Sequence, residues 1–292
     1  MTILVTGAGG QVGRELILRA SQPVVGMDRS QLDITDPDAV ERAITRHGAR
    51  LVINAAAYTA VDRAESEVAQ ANAVNRDGVR TLAQACRNAG IPMFHLSTDY
   101  VFDGNQPAPY AESDTPHPTG VYGQSKLDGE EELRQRLDQH LILRVSWVFG
   151  AYGNNFVRTM LRLGRERPEL RVVADQRGGP THAGAIADAL LDLARRHAAG
   201  ESLPWGTYHY SGTPVVTWHA FAQAIFAEAH AQDLLDRIPA VHAITTADYP
   251  TPARRPANSA LDNSLAHSRL GLASPDWRTG LREVLTTWKH EA

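Results

Sequence analysis

Thr2-Ile3-Leu4-Val5-Thr6-Gly7-Ala8-Gly9-Gly10-Gln11-Val12-Gly13 is the stretch on which the fold turns. Ile3-Leu4-Val5 is a short apolar run, and Arg14-Glu15-Leu16-Ile17-Leu18-Arg19-Ala20 beyond the glycines has helical spacing. Strand, glycine turn and helix in that order make a cradle for a pyrophosphate. Small residues let the backbone approach the phosphates, and the helix N-terminus offers free N–H groups with a partial positive charge. The glycines follow G-x-x-G-x-x-G on Gly7, Gly10 and Gly13. Many tight turns hold three glycines; the position between a first strand and a first helix gives these their meaning.

Val24-Val25-Gly26-Met27-Asp28 reads as a second strand ending in an acid 21 residues after Gly7. A carboxylate there accepts hydrogen bonds from adenosine ribose hydroxyls and favours NAD. Arg29 beside it suits the extra phosphate of NADP. The sequence therefore leaves NADPH and NADH both open.

Farther along, Asp36-Pro37 starts a helix running to about His47, with Asp as its cap and Pro in its first turn. Leu51–Asn54 is a third strand, followed by Ala55-Ala56-Ala57-Tyr58, small residues able to pass under an adenine or ribose. A long helix is expected from Glu67 to Ala89; its Asn75, polar amid Ala and Val, is either exposed or a structural hydrogen bonder. Met93–Ser97 is a fourth strand with Thr98, Asp99 and Tyr100 at its carboxyl end, where open parallel sheets bind ligands. Residues 103–120 form a loop, a helix carries Tyr122 and Lys126 to about Leu137, and Leu141–Val145 is a fifth strand.

This alternation predicts an α/β fold: a doubly wound, Rossmann-like parallel sheet. After Gly150 the pattern changes. Helices are expected over 155–165, 186–194 and 217–231, and strands over 170–174 and 207–210. Residues 178–181 read as a turn, 239–258 as irregular, and two short helices fall around Leu265 and Leu281. We divide the chain into a dinucleotide-binding domain, residues 1–150, and a smaller α+β substrate-binding lobe, residues 151–292. Segments of the second half are free to return to the first domain.

Tyr122 and Lys126 stand one helical turn apart, so both side chains leave one face. Alone, the five residues read more plainly as a solvent-facing helix. Beside a dinucleotide they gain a chemistry, because ketone reduction needs a hydride and a proton. Free tyrosine has a pKa near ~10, and an adjacent ammonium is expected to lower it toward the useful range. Lys126 also suits the nicotinamide ribose hydroxyls, and Thr98 would hydrogen-bond the substrate oxygen. Thr98, Tyr122 and Lys126 are the candidate catalytic set.

Composition narrows the field. The 292 residues are 43% hydrophobic and 21% charged with a net charge of −4, ordinary values for a soluble globular chain. The lack of any dense Lys/Arg run argues against a nucleic-acid partner. No apolar run approaches membrane-spanning length, and no signal peptide is expected at the start. Cys86, the single cysteine, reads as a buried helix residue. No His-x-x-x-His or Cys/His cluster occurs, so no metal is assigned.

Gly7-x-x-Gly10-x-x-Gly13, Thr98 and Tyr122-x-x-x-Lys126 resemble the extended short-chain dehydrogenase/reductase family. Longer stretches narrow the resemblance to its nucleotide-sugar ketoreductases: residues 54–65, 97–104, 144–150, 153–156 and 175–181, and Arg255-Pro256-x-Asn258-Ser259. The resemblance implies reduction of the C4 ketone of dTDP-6-deoxy-L-lyxo-4-hexulose by NADPH or NADH. The lone cysteine and the lack of a visible signal peptide or membrane span suit the cytoplasm, and a monomer or homodimer is expected. It implies that Gly7, Gly10, Gln11, Val12 and Gly13 meet the pyrophosphate, Asp28 and Arg29 the adenosine ribose, and Asp33 and Ile34 the adenine edge. Ala55, Ala56 and Tyr58 would line the cofactor, with Asn75 in support. Val61, Glu65, Thr98, Asp99, Tyr100 and Trp147 would face the sugar, although Trp147 reads almost as well as a core aromatic. Some family members hold Mg2+ through acids at a dimer interface; here His182-Ala183-Gly184-Ala185 follows Thr181 without a carboxylate. Two alternatives stay open: a reductase of another nucleotide-linked 4-keto-6-deoxy sugar, and a cofactor-bound regulatory subunit without activity.

Overall fold

The computed structural model describes residues 1–291. The first half of the chain runs β1 (Thr2–Thr6), α1 (Gln11–Arg19), β2 (Val24–Met27), α2 (Pro37–His47), β3 (Ala49–Asn54), α3 (Val61–Ala64), α4 (Val68–Asn72), α5 (Gly78–Ala89), β4 (Met93–Thr98), α6 (Val121–Arg136) and β5 (His140–Val145). The second half adds β6 (Val148–Phe149), α7 (Phe156–Glu166), β7 (Glu169–Val173), β8 (Arg177–Gly178), β9 (Thr181–His182), α8 (Ala183–Ala198), β10 (Gly206–His209), β11 (Val216–Thr217), α9 (Trp218–Ala231), β12 (Ala240–Ile244), β13 (Asn258–Ser259) and α10 (Trp277–Glu291).

Six parallel strands in the order β10-β5-β4-β3-β1-β2 form the main sheet. Its central strands are apolar on both faces because helices cover both. Ile3, Leu4, Val5, Leu51, Val52 and Ile53 are fully buried. One core packs α1 and α8 on the sheet through Val12, Leu16, Ile186 and Leu190. The other packs α2 and α5 through Val40, Ile44, Leu82 and Cys86. Sequence signals set the ends of α2: the Asp36 side chain accepts from the Ala39 N–H at its start, and Gly48 takes a left-handed φ of 56° at its end. A third core, built by Phe149, Leu161, Phe221, Phe226 and Trp277, holds the smaller lobe together.

Several expectations need correction. A cut at residue 150 divides the sheet, because β10 pairs in parallel with β5 and α8 packs against α1. The unit built on the main sheet therefore takes in residues 183–209 as well, the return that the expectation left open. The long helix from Glu67 is interrupted by a π-turn over Ala73–Asp77. The irregular segment contains β12, which pairs with β7. The turn at 178–181 is flanked by β8 and β9, and the last helix is 15 residues long rather than short. These elements answer to distant partners, which local periodicity does not register.

Candidate active site

The carboxyl ends of β1, β3 and β4 lie side by side, and the site is built on them. After β1 the chain turns at Gly7 with φ 73°, where a Cβ would stand 2.5 Å from the Ala56 backbone nitrogen. Only glycine allows the turn after β1 to touch the one after β3 so closely. Helix α1 then begins at Gln11 without a side-chain cap, so its leading N–H groups stay available. Uncapped N–H groups and a turn free of side chains fit a pyrophosphate at Gly10, Gln11, Val12 and Gly13. Gln11 also accepts from Asn155 of the second lobe at 3.2 Å.

At the end of β2, Asp28 holds the Ser30 hydroxyl at 2.6 Å and its N–H at 2.8 Å, which keeps its carboxyl below the usual carboxylate range. Arg29 is exposed beside it. Asp33 is exposed and binds Thr35, whereas Ile34 sends its side chain into the core toward Gly78. Any adenine contact at Ile34 is thus limited to its backbone. Ala55 and Ala56 are partly open, and the Tyr58 hydroxyl donates to Glu67 at 2.6 Å.

On α6, Gly123 and Gly129 let the helix approach closely. A Cβ at Gly123 would stand 2.1 Å from the Tyr100 carbonyl oxygen, and one at Gly129 2.0 Å from that of Asn75. The helix therefore seats against both the turn after β4 and the π-turn. Tyr122 is 9% exposed, with its ring edge-on to Tyr100 at 5.4 Å between centroids. The Thr98 hydroxyl donates to Asp99 at 3.1 Å and accepts from the Tyr100 N–H at 3.2 Å. Burial pushes the Tyr122 phenol up to about 12, against hydrogen bonding with Thr98 and with a smaller push from Asp99. Burial also raises Asp99 to about 6, despite the Ser259 and Thr98 hydroxyls, and its Oδ2 has no hydrogen-bond partner among the described residues.

The expected lowering of the phenol by Lys126 is not found. Lys126 is 2% exposed, and its ammonium position faces the sheet, 2.6 Å from the Leu96 carbonyl oxygen and 3.4 Å from His95 Nε2. Burial lowers it to about 8, with Glu130 pulling the other way. Desolvation outweighs the Thr98 hydrogen bond at Tyr122 and the Glu130 charge at Lys126.

Two expected contact residues carry structural duties. Asn75 is buried, accepting from the Tyr58 N–H at 2.8 Å and donating to the Tyr58 carbonyl and the Ser125 hydroxyl, each at 3.0 Å. Its amide is committed to tying the segment after β3 to α6, which makes Asn75 the structural hydrogen bonder that is one of its two readings from sequence. Glu65 accepts from the Val121 N–H at 2.9 Å and so caps α6 from 56 residues away. Val61 opens α3 nearby, and Asp62 is paired with Arg255 at 2.8 Å, joining the lobes. Trp147 sits in a left-handed conformation, φ 47°, and stacks on Trp218 at 3.5 Å between centroids. A non-glycine residue held there is a strained one, and such strain collects at functional sites.

Sequence reading missed the polar layer beneath the site. Glu130 is fully buried and takes Arg144 bidentately at 2.9 and 2.7 Å, Arg134 at 2.5 Å and the Ser97 hydroxyl at 2.5 Å. The available signal was His95 and Ser97 at alternate positions of an otherwise apolar strand, both turned to one face. Among the described residues, no group of three or more His, Cys, Asp or Glu is placed to hold a metal ion. Nor, among the described residues, is any helix long and apolar enough to cross a membrane.

A parallel sheet with an uncapped helix end at its switch point, and a buried phenol at the neighbouring strand end, defines the class of dinucleotide-dependent α/β reductases. A family model described as RmlD substrate binding domain matches residues 1–290. The dTDP-4-dehydrorhamnose reductase of Aggregatibacter actinomycetemcomitans is 49% identical over 97% of each chain. That of Sinorhizobium fredii is 43% identical over 98% of this chain and 97% of its own. A crystal structure of dTDP-4-dehydrorhamnose reductase from Bacillus anthracis in complex with NADP superposes with a TM-score of 0.90, 34% identity, and 98% and 99% of the two chains covered. The chain belongs to the dTDP-4-dehydrorhamnose reductase family, and it is an NAD(P)H-dependent nucleotide-sugar reductase.

Proposed function

We propose that the chain reduces the C4 ketone of dTDP-6-deoxy-L-lyxo-4-hexulose to dTDP-L-rhamnose. The observation that carries the reading is a buried phenol at the carboxyl end of β4, beside the Thr98 hydroxyl, on the sheet whose first helix, α1, begins uncapped. NADPH or NADH, when bound along Gly7–Gly13 and Asp28–Arg29, supplies the hydride. The exposed Arg29 guanidinium suits a 2′-phosphate and favours NADPH.

Thr98 orients the ketone oxygen by a hydrogen bond. Tyr122 delivers its proton as negative charge develops there; a phenol held near 12 stays protonated until that moment. Lys126 swings from β4 toward the ribose hydroxyls. Val61, Glu65, Asp99 and Tyr100 border the sugar. Trp147, stacked on Trp218, faces the sugar with them. The reaction belongs in the cytoplasm, and the enzyme works as a monomer or homodimer, which light scattering on the purified protein decides.

The test is to incubate the protein with the 4-keto sugar and NADPH, following NADPH oxidation and identifying the product. Formation of dTDP-L-rhamnose is expected. NADPH binding without turnover of this sugar would overturn the reading.

A further inference from the structure

Thr6, Asn54 and His95 occupy one row across β1, β3 and β4, each paired in register with the next. All three are essentially without solvent contact. The hydrogen bonds along this row fix proton positions. The Ala56 backbone N–H can only donate, and it meets Asn54 Oδ1 at 3.0 Å; the Thr6 hydroxyl meets the same oxygen at 2.7 Å. Asn54 must therefore turn its amide nitrogen to His95, and Nδ2 donates to His95 Nδ1 at 3.0 Å. A ring that accepts at Nδ1 carries its proton on Nε2. Complete burial holds His95 well below its usual pKa, so the ring is neutral and has that one N–H. Nε2 faces Lys126 Nζ at 3.4 Å, while Nζ donates to the Leu96 carbonyl at 2.6 Å.

An ammonium has three donors and no acceptor, so it would set N–H against N–H at the histidine. A free amine fits both neighbours: it donates to Leu96 and accepts from His95. We propose that His95 is a positioning residue that favours the free amine of Lys126 over its ammonium in the cofactor-free protein by donating its Nε2–H to the lysine nitrogen. Other groups around Lys126 leave this arrangement in place. Glu130, one turn on, favours the ammonium, but its carboxylate is shared among Arg144, Arg134 and Ser97. Tyr122, one turn back, is a neutral phenol, and burial lowers His140 on β5. The inference concerns the site of the proposed reduction and rests on none of the substrate assignment.

Lys126 and Lys289 are the only lysines in the chain, which makes the test direct. Protein labelled with 13C and 15N in lysine, free of cofactor, is titrated by NMR; Lys289→Arg assigns the signals. Lys126 is expected to titrate below about pH 9, against about 10.4 for an ordinary lysine. In His95→Gln, whose carboxamide oxygen can accept from the ammonium, the midpoint is expected to rise by at least about one pH unit. His95→Asn keeps an acceptor for Asn54 and cannot reach the lysine, so it should shift the same way if the Gln variant does not fold. A wild-type midpoint at or above about pH 9 would overturn the free amine. A midpoint equal in wild type and folded His95 variants would overturn the part given to His95. A different sugar substrate would move none of these readings.

Discussion

Tyr122 and Lys126 leave α6 one turn apart, yet burial moves them in opposite directions. The phenol rises to about 12 and the ammonium falls to about 8. The cleft side of the helix keeps polar capacity unspent at Asp99 Oδ2, which has no hydrogen-bond partner among the described residues. On the sheet side, Glu130 satisfies Arg144, Arg134 and Ser97, and Asn54 joins Thr6 to His95. Free hydrogen-bonding capacity thus sits where a substrate would bind, and a satisfied network holds it in position. Activity and stability should separate along that line.

The sharpest separation is expected from Tyr122→Phe. Losing the general acid should cut kcat about 10²–10⁴-fold. Because the phenol anchors nothing structural, denaturant midpoints should stay within about 1 kcal/mol of wild type. Near-normal turnover would remove Tyr122 from the mechanism. On the sheet side, Glu130→Ala should behave in the reverse sense. It leaves Arg144 buried without its anion and should cost about 3–5 kcal/mol in urea unfolding. A loss below about 1 kcal/mol would show that this layer does not carry the fold.

Asp99 lies on the border and gives a pH signature. Its folded carboxyl, at about 6, holds a proton more tightly than the unfolded one at its ordinary value of 3.8. Stability from this group is therefore present at low pH and is lost as pH rises from about 4 through 6, by on the order of 2–3 kcal/mol. Asp99→Asn should flatten that limb in denaturation curves measured between these pH values; an unchanged limb would exclude Asp99 as its source. A smaller effect is expected from Glu65→Ala, which removes the cap of α6 and should cost about 1 kcal/mol in thermal or urea unfolding. Arg29→Ala lies outside both sides. It should raise KM for NADPH roughly tenfold while leaving that for NADH unchanged, through loss of one charge-assisted contact.

Much of the site was legible in the sequence because its signals are local. The glycine turn, Thr98 at a strand end and Tyr122–Lys126 each depend on a few consecutive residues, and the alternating pattern supplies the sheet that gathers them. Asn75 and Glu65 show the limit. Their side chains are spent on Tyr58, Ser125 and Val121, partners 17 to 56 residues away. The return of α8 and β10 to the first sheet was hidden for the same reason.

By itself the sequence determined the glycine turn between β1 and α1, the proposed proton donor and the succession of the first five strands along the chain. These follow from periodicity, backbone sterics and the chemistry of single side chains. Only the tertiary structure decided which way Lys126 faces, that burial raises the phenol, and that Thr6, Asn54 and His95 fall in one row. Desolvation and register are properties of packed neighbours, and neither exists until the chain has folded around them.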